Sequence, residues 1–196
     1  MVRSWLISGL CFGVMGACLA APPGKKPTRN VVSPKKPVGT RSPATRKPSA
    51  LPSKTYTYQF VSLHAPVGTR LRATRKPSAK EARYLADFMV NTRVGAKPAR
   101  IHVSCVRKGS RMMGNLTPIR FRDSIRTSVL TGEKVRERKA VKLAGTGMTG
   151  EAVRYGAGKT WELFAASPTT SVYAIWRANV PAEPVIGMLN TLRVRP

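Results

Sequence analysis

The chain has 196 residues, with 35 Lys or Arg against 8 Asp or Glu and a net charge of +27. That length allows one domain with its own apolar core plus a tail. Its three cysteines, Cys11, Cys18 and Cys105, exclude a disulfide framework, because Cys11 leaves with any cleaved leader and at most one pair remains. The charge is unevenly placed: fifteen basic residues and no acid precede Glu81, and twenty basic residues share the rest with all eight acids.

The first element is an export signal. Arg3 is the only charge before Lys25, and Trp5 to Val14 forms an apolar run of signal-peptide length. Gly16-Ala17-Cys18-Leu19-Ala20 supplies the small residues that a signal peptidase needs. Two processing routes fit. Ala20 with Cys18 two residues before it permits cleavage before Ala21. Alternatively, Val14-Met15-Gly16-Ala17-Cys18 resembles the lipobox of bacterial lipoproteins, which implies lipidation of Cys18 and a membrane anchor. Lys25, Lys26 and Arg29 follow the run, so an uncleaved helix would hold the body of the protein on the cytoplasmic side. Pro22-Pro23 and the glycines within the run also make a poor spanning helix, which favours cleavage.

A tether follows. Pro22 to Lys54 contains eight of the sixteen prolines, nine Lys or Arg, no acid and no aromatic residue. Such a stretch buries too little apolar surface to offset its conformational entropy. Extended by proline and like charge, it reaches about 100 Å. The plain reading is a solvated basic linker. Its charge also suits acidic lipids, envelope phosphates, wall polymers or nucleic acid. Residues 37–50 recur as residues 66–79 with twelve of fourteen positions identical. Two copies make no solenoid, so local duplication is the simplest account.

The domain begins near residue 56. Tyr56-Thr-Tyr-Gln-Phe-Val-Ser-Leu63 alternates as one strand. Ser78 and Glu81 spell a capping box that predicts a helix to about Thr92, with Ala82, Leu85, Phe88 and Met89 inward. Lys97-Pro98 breaks the chain, and Ile101, Val103 and Cys105 alternate in a second strand. Thr117 and Pro118 open a helix that buries Phe121, Ile125 and Val129 and ends at Gly132. Val141–Leu143, Ala152–Tyr155, Thr160–Ala165 and Ser171–Arg177 read as a meander of short strands. Pro184 opens a last helix over Val185–Leu192, with Val185, Met188, Leu189 and Leu192 inward. The predicted class is α+β: an antiparallel sheet with helices packed on it, preceded by a disordered basic tether. The predicted division is residues 1–20 signal peptide, 21–55 tether and 56–196 domain.

The Ala99–Arg107 strand, the Pro118–Leu130 helix, the Leu143-Ala-Gly145 strand end and the closing Met188-Leu-Asn-Thr-Leu-Arg193 are similar in layout to PsbP-like domains, over Tyr56–Arg195. The Pro-x-Gly-Trp opening of such domains stands here as Pro66-Val-Gly-Thr69. The resemblance implies a non-catalytic envelope or assembly factor.

Several motifs invite chemistry and lack its context. Gly145-Thr-Gly-Met-Thr-Gly150 spells a dinucleotide fingerprint, but Glu151–Tyr155 is too short for the helix that must follow. Gly156-Ala-Gly158-Lys159-Thr160 matches only the end of a phosphate-binding loop. His102 and Cys105 sit at odd spacing on a strand and face opposite ways, and His64 is the only other histidine. Trp161, Tyr173 and Trp176 with Arg154, Lys159 and Arg177 suit an aromatic-basic binding face, although aromatics at such spacing more often fill a core. No catalytic, cofactor or metal residue is assigned, so the expected activity is non-enzymatic binding or assembly. A basic nucleic-acid-binding protein is the alternative, and Cys18 is the one predicted modification site.

Overall fold

Period-two alternation of apolar and polar residues governs most of the chain from Ser53 onward, so strands dominate. The structure is a computed structural model that describes residues 52–74 and 77–195. The leader, Cys18, the tether as far as residue 51 and the first copy of the repeat lie outside these residues.

Seven strands form one antiparallel sheet. They are β3 (Arg70–Ala73), β4 (Leu85–Val94), β5 (Lys97–Arg107), β6 (Val135–Leu143), β7 (Met148–Tyr155), β8 (Thr160–Ala166) and β9 (Thr170–Arg177), in the order β3-β4-β5-β9-β8-β7-β6. A smaller sheet places β2 (Val61–Pro66) between β1 (Ser53–Tyr58) and β10 (Arg193–Val194). The helices are α1 (Pro118–Leu130) and α2 (Ala182–Leu189).

The register of the large sheet lines up one residue per strand across its width. One row runs Ala73, Phe88, Val103, Ala174, Leu163, Ala152, Lys139. Its five central members are fully buried. Large and small side chains alternate there, so Val61 and Leu63 of β2 and Val185 and Leu189 of α2 pack down onto the row as one core. Each large side chain buried this way contributes about 1.5–3 kcal/mol. The adjacent row points to the other face and runs Arg72, Met89, His102, Ile175, Glu162, Val153, Arg138. It passes from exposed at Arg72 through half-buried at His102 to buried at Glu162 and Val153. The grading follows from α1, which packs on β8 and β9, while Phe121 of α1 and Met113 cover β4 and β5 only at Leu85 and Val106.

The sheet and both helices bear out a mixed antiparallel architecture, and four expectations need correcting. The helix expected over Ser78–Thr92 is absent. Ser78 and Glu81 do exchange hydrogen bonds, with the Ser78 amide donating to Glu81 at 3.0 Å, yet they close only a 3-10 turn over Glu81–Arg83. The residues beyond it form β4. Leu85–Val94 carries a helical period and a strand period at once, and strand pairing wins because β4 bonds to β3 and β5 while burying Phe88 and Val90 completely. Tyr56–Leu63 is a hairpin and not one strand. Tyr58 pairs with Val61 across a two-residue turn in which Gln59 takes φ 51°. Lys97-Pro98 does not interrupt the chain but opens β5, where Pro98 pairs with Arg93 beyond the reach of β9. Finally, Phe121, Ile125 and Val129 of α1 are only half-buried. The Thr117 cap of that helix does form, with its hydroxyl accepting from the Arg120 amide at 3.3 Å.

Cys105 lies in the fully buried core, and burial, followed by the charge of Asp87, pushes its thiol up to about 12 from 9.0. A raised folded value contributes stability that is complete below pH 9 and is lost as pH climbs towards 12. Denaturant unfolding should therefore show stability falling above pH 9, with a shallower fall in Cys105→Ala between pH 9 and 10. In a chain whose Cys11 and Cys18 are replaced by alanine, a thiol reagent should leave the native protein unlabelled at pH 8 and label it fully once unfolded. Rapid native labelling would contradict this burial.

Candidate functional site

A cationic cleft opens where the C-terminal end of β5 meets the β1–β2 turn and the end of the chain. Arg107 closes β5, and its guanidinium stands 4.2 Å from the centre of the Phe60 ring, a cation–π contact that fixes its direction. Burial lowers its pKa from the ordinary arginine value. Arg195 is held alongside, because its amide donates to the Phe60 carbonyl at 2.8 Å and its Nη2 donates to the Gln59 carbonyl at 2.6 Å.

These two arginines separate and line two cavities. One, of about 590 Å³, adds Lys108 and the polar residues Thr146, Ser167 and Thr169. The other, of about 680 Å³, adds Arg83, Phe60 and Gln59, whose Oε1 is buried with no hydrogen-bond partner among the described residues. No carboxylate, histidine or cysteine lines either cavity. The hydroxyl of Ser167 accepts from the Thr170 amide at 3.2 Å and so shapes the β8–β9 turn that forms one wall. Three cations line each cavity, and such groups can hold a carboxylate or phosphate through charge-assisted hydrogen bonds.

The residues singled out by sequence are dispersed over other places. Gly145–Gly147 falls in the β6–β7 turn, and Gly150 is a strand residue so close to β8 that a Cβ would meet the Phe164 carbonyl oxygen at 1.8 Å. Strand β7 follows where a nucleotide would need a helix N-terminus. Gly156–Lys159 is likewise the β7–β8 turn. Trp161 and Trp176 are buried and stacked across β8 and β9, with ring centres 6.3 Å apart. Arg154 and Lys139 lie over the Trp161 ring. Tyr173 points to the other face, so Trp161 and Trp176 fill the core as their spacing favours, and the alternative aromatic-basic surface does not assemble. His102 and Cys105 are on opposite faces, as their spacing requires.

Two pairings escaped the sequence. His102 Nε2 lies 2.5 Å from Asp87 Oδ1 on the half-open face, a contact hidden while β4 was read as a helix. Buried Glu162 accepts hydrogen bonds from Tyr173, at 2.6 Å, and from Tyr155. Burial first, and then the Glu162 carboxylate, raise the pKa of both phenols. This knot pins β7, β8 and β9 together. His64 is also taken up locally, with Ser53 at 2.7 Å and Thr55 at 3.3 Å. Among the described residues there is no group of His, Cys, Asp or Glu placed to hold a metal ion, and no helix long and apolar enough to cross a membrane.

No family model matches the chain, and no curated protein matches it. Among solved structures it is similar to cyanobacterial PsbP from Synechocystis sp. PCC 6803, with 11% identity and a TM-score of 0.41, covering 78% of this chain and 97% of that one. The functional reading rests on the side chains of this chain.

If Gly150 serves sheet packing and not a ligand, Gly150→Ala should lower stability by about 1–3 kcal/mol through overpacking, measured by denaturant unfolding. Gly147→Ala, in the turn at φ 66° with open space around it, should cost only about 1 kcal/mol. The reverse order would remove the packing explanation.

Proposed function

We propose that this protein is an exported component of a bacterial cell envelope, lipidated at Cys18, whose α+β domain binds a partner's anionic group without catalysing a reaction. The observation that carries the binding role is the cleft itself: Arg83, Arg107, Lys108 and Arg195 converge on open volume that no carboxylate lines. The groups that could act as acid or base are engaged elsewhere, His102 with Asp87, His64 with two hydroxyls, and Glu162 with two phenols. The compartment is supported by the apolar leader, by the small residues around Cys18 and by the proline-rich basic tether that follows. The tether gives the domain reach from its anchor, and a partner carrying a carboxylate or phosphate meets it at the cleft.

Two measurements test the reading. Expressed in a bacterium with labelled palmitate, the wild-type chain should take up label and Cys18→Ala should not. N-terminal mass analysis should find a chain starting at acylated Cys18. Intact chains starting at Met1 in the soluble cell interior would overturn the export reading. For the cleft, calorimetry with inorganic phosphate should show binding that weakens about tenfold or more in Arg107→Gln and again in Arg195→Gln. Unchanged binding in both would remove the cleft as the site.

A further inference from the structure

One face of the large sheet is covered at its Leu85–Val106 end by Met113 and Phe121, and its other end is exposed and studded with arginine. Strands β3, β4 and β5 carry Arg70, Arg72, Arg93 and Arg100 on this face, and β9 adds Arg177, all exposed. Arg70 stands opposite Asn91, and Asn91 opposite Arg100, while Arg72 stands opposite Met89. Strands lie about 4.8 Å apart and alternate residues about 6.8 Å apart, so the five positions fall within roughly 14 by 14 Å. The side chains of the five make no hydrogen bond or ion pair among the described residues. The one carboxylate on this part of the face, Asp87, is engaged by His102. Five like charges against that one carboxylate on a flat patch are a surface suited to a dense anion array.

We propose that this arginine face is where the domain lies against an anionic lipid surface. Nucleic acid fits it less well on two grounds. Single strands are held by stacking on exposed aromatic rings, and here Trp161 and Trp176 are buried on the opposite side while Tyr173 is bonded to Glu162. A duplex groove admits a helix or a two-stranded ribbon, whereas this patch spans four adjacent strands of one sheet. A plane of headgroup phosphates meets a plane of guanidinium groups with no such requirement. Half-buried Met89 and Ile175 stand on the same face beside the arginines. The inference rests on the envelope reading only for where the lipid is met.

The test compares two full-length variants of equal charge with the reference chain, all three carrying Cys18→Ala so that no acyl chain anchors them. One carries Arg70→Gln, Arg72→Gln, Arg93→Gln and Arg100→Gln. The other carries Arg111→Gln, Arg120→Gln, Lys134→Gln and Lys142→Gln, four exposed cations elsewhere. Both keep the same leader and basic tether, so any difference belongs to the face. With phosphatidylcholine vesicles containing phosphatidylglycerol, the face variant should sediment with lipid on the order of 600-fold less than the reference chain, about fivefold for each of the four arginines. The control variant should lose no more than about a tenth of that, and phosphatidylcholine alone should bind none of the three. Circular dichroism and thermal unfolding should show both variants folded. Equal loss in the two variants, no loss in the face variant, or a face-dependent preference for duplex DNA over vesicles of equal phosphate would each overturn the proposal. Vesicle binding through this face by a chain found unprocessed in the cytosol would sink the envelope reading and leave the face standing.

Discussion

Everything in this domain depends on the cross-strand register of one antiparallel sheet. Because side chains alternate between faces, a slip of one residue in any strand would carry Phe88, Val103 or Leu163 out to solvent and bring their polar neighbours inward. The register is held by features that only one alignment satisfies. Gly150 fits against the Phe164 carbonyl where no other residue would, and the two phenols of Tyr155 and Tyr173 converge on Glu162 from β7 and β9. A buried carboxylate without such partners would be costly. With them it fixes three strands in place. The two faces then diverge in character, one closed over by β2 and α2, the other closed by α1 over β8 and β9 and by Met113 and Phe121 at the Leu85–Val106 end, with the rest exposed.

Charge follows the same asymmetry. Most of the carboxylates are paired around β6, β7 and α1, while Asp87 and Glu81 lie on and just before β4. Glu137 engages Arg154 and Lys139, Glu151 engages Arg126 and Arg138, Asp123 engages Arg122, and Glu183 engages Lys139. Exposed ion pairs of this kind contribute at most about 1 kcal/mol each, so their effect on stability is small. Their effect on the field is larger. They neutralise the β6, β7 and α1 side and leave the positive potential concentrated on the β3–β5 face and at the Arg107 end. A basic protein with its acids spread evenly would present no such contrast.

Much of this was legible in the sequence, for reasons that differ by element. Alternation of Ile101, Val103 and Cys105 located β5, the Thr117-Pro118 pair located α1, and glycine or Ser-Pro punctuation located the hairpins of the second half. Strand β4 was not legible, because Ala82, Leu85, Phe88 and Met89 satisfy a helix as well as Ala86, Phe88, Val90 and Thr92 satisfy a strand. Only the neighbours on either side decide between them. The Tyr58–Val61 turn carries no Gly, Asn or Asp to mark it, and Gln59 takes the left-handed conformation instead. The cleft could not be read at all. Its cations come from residues 83, 107, 108 and 195, which no local spacing relates, and Arg83 becomes available only because the predicted helix does not form.

The two cationic features stand at opposite ends of the same strand. Arg100 belongs to the open arginine face and Arg107 to the cleft, seven residues and about 23 Å apart along β5. That separation exceeds the Debye length of about 8 Å at physiological salt, so an anion at one end scarcely changes the field at the other. The cleft is also lined from the β1–β2 turn and the chain terminus, none of which contributes to the arginine face. Contact with a surface through β3–β5 therefore leaves the cleft mouth open. A domain held by a tether and seated on lipid in this way has its partner-binding end fixed in orientation. That loss of rotational freedom is taken before the partner arrives, so the partner's binding free energy is not reduced by it.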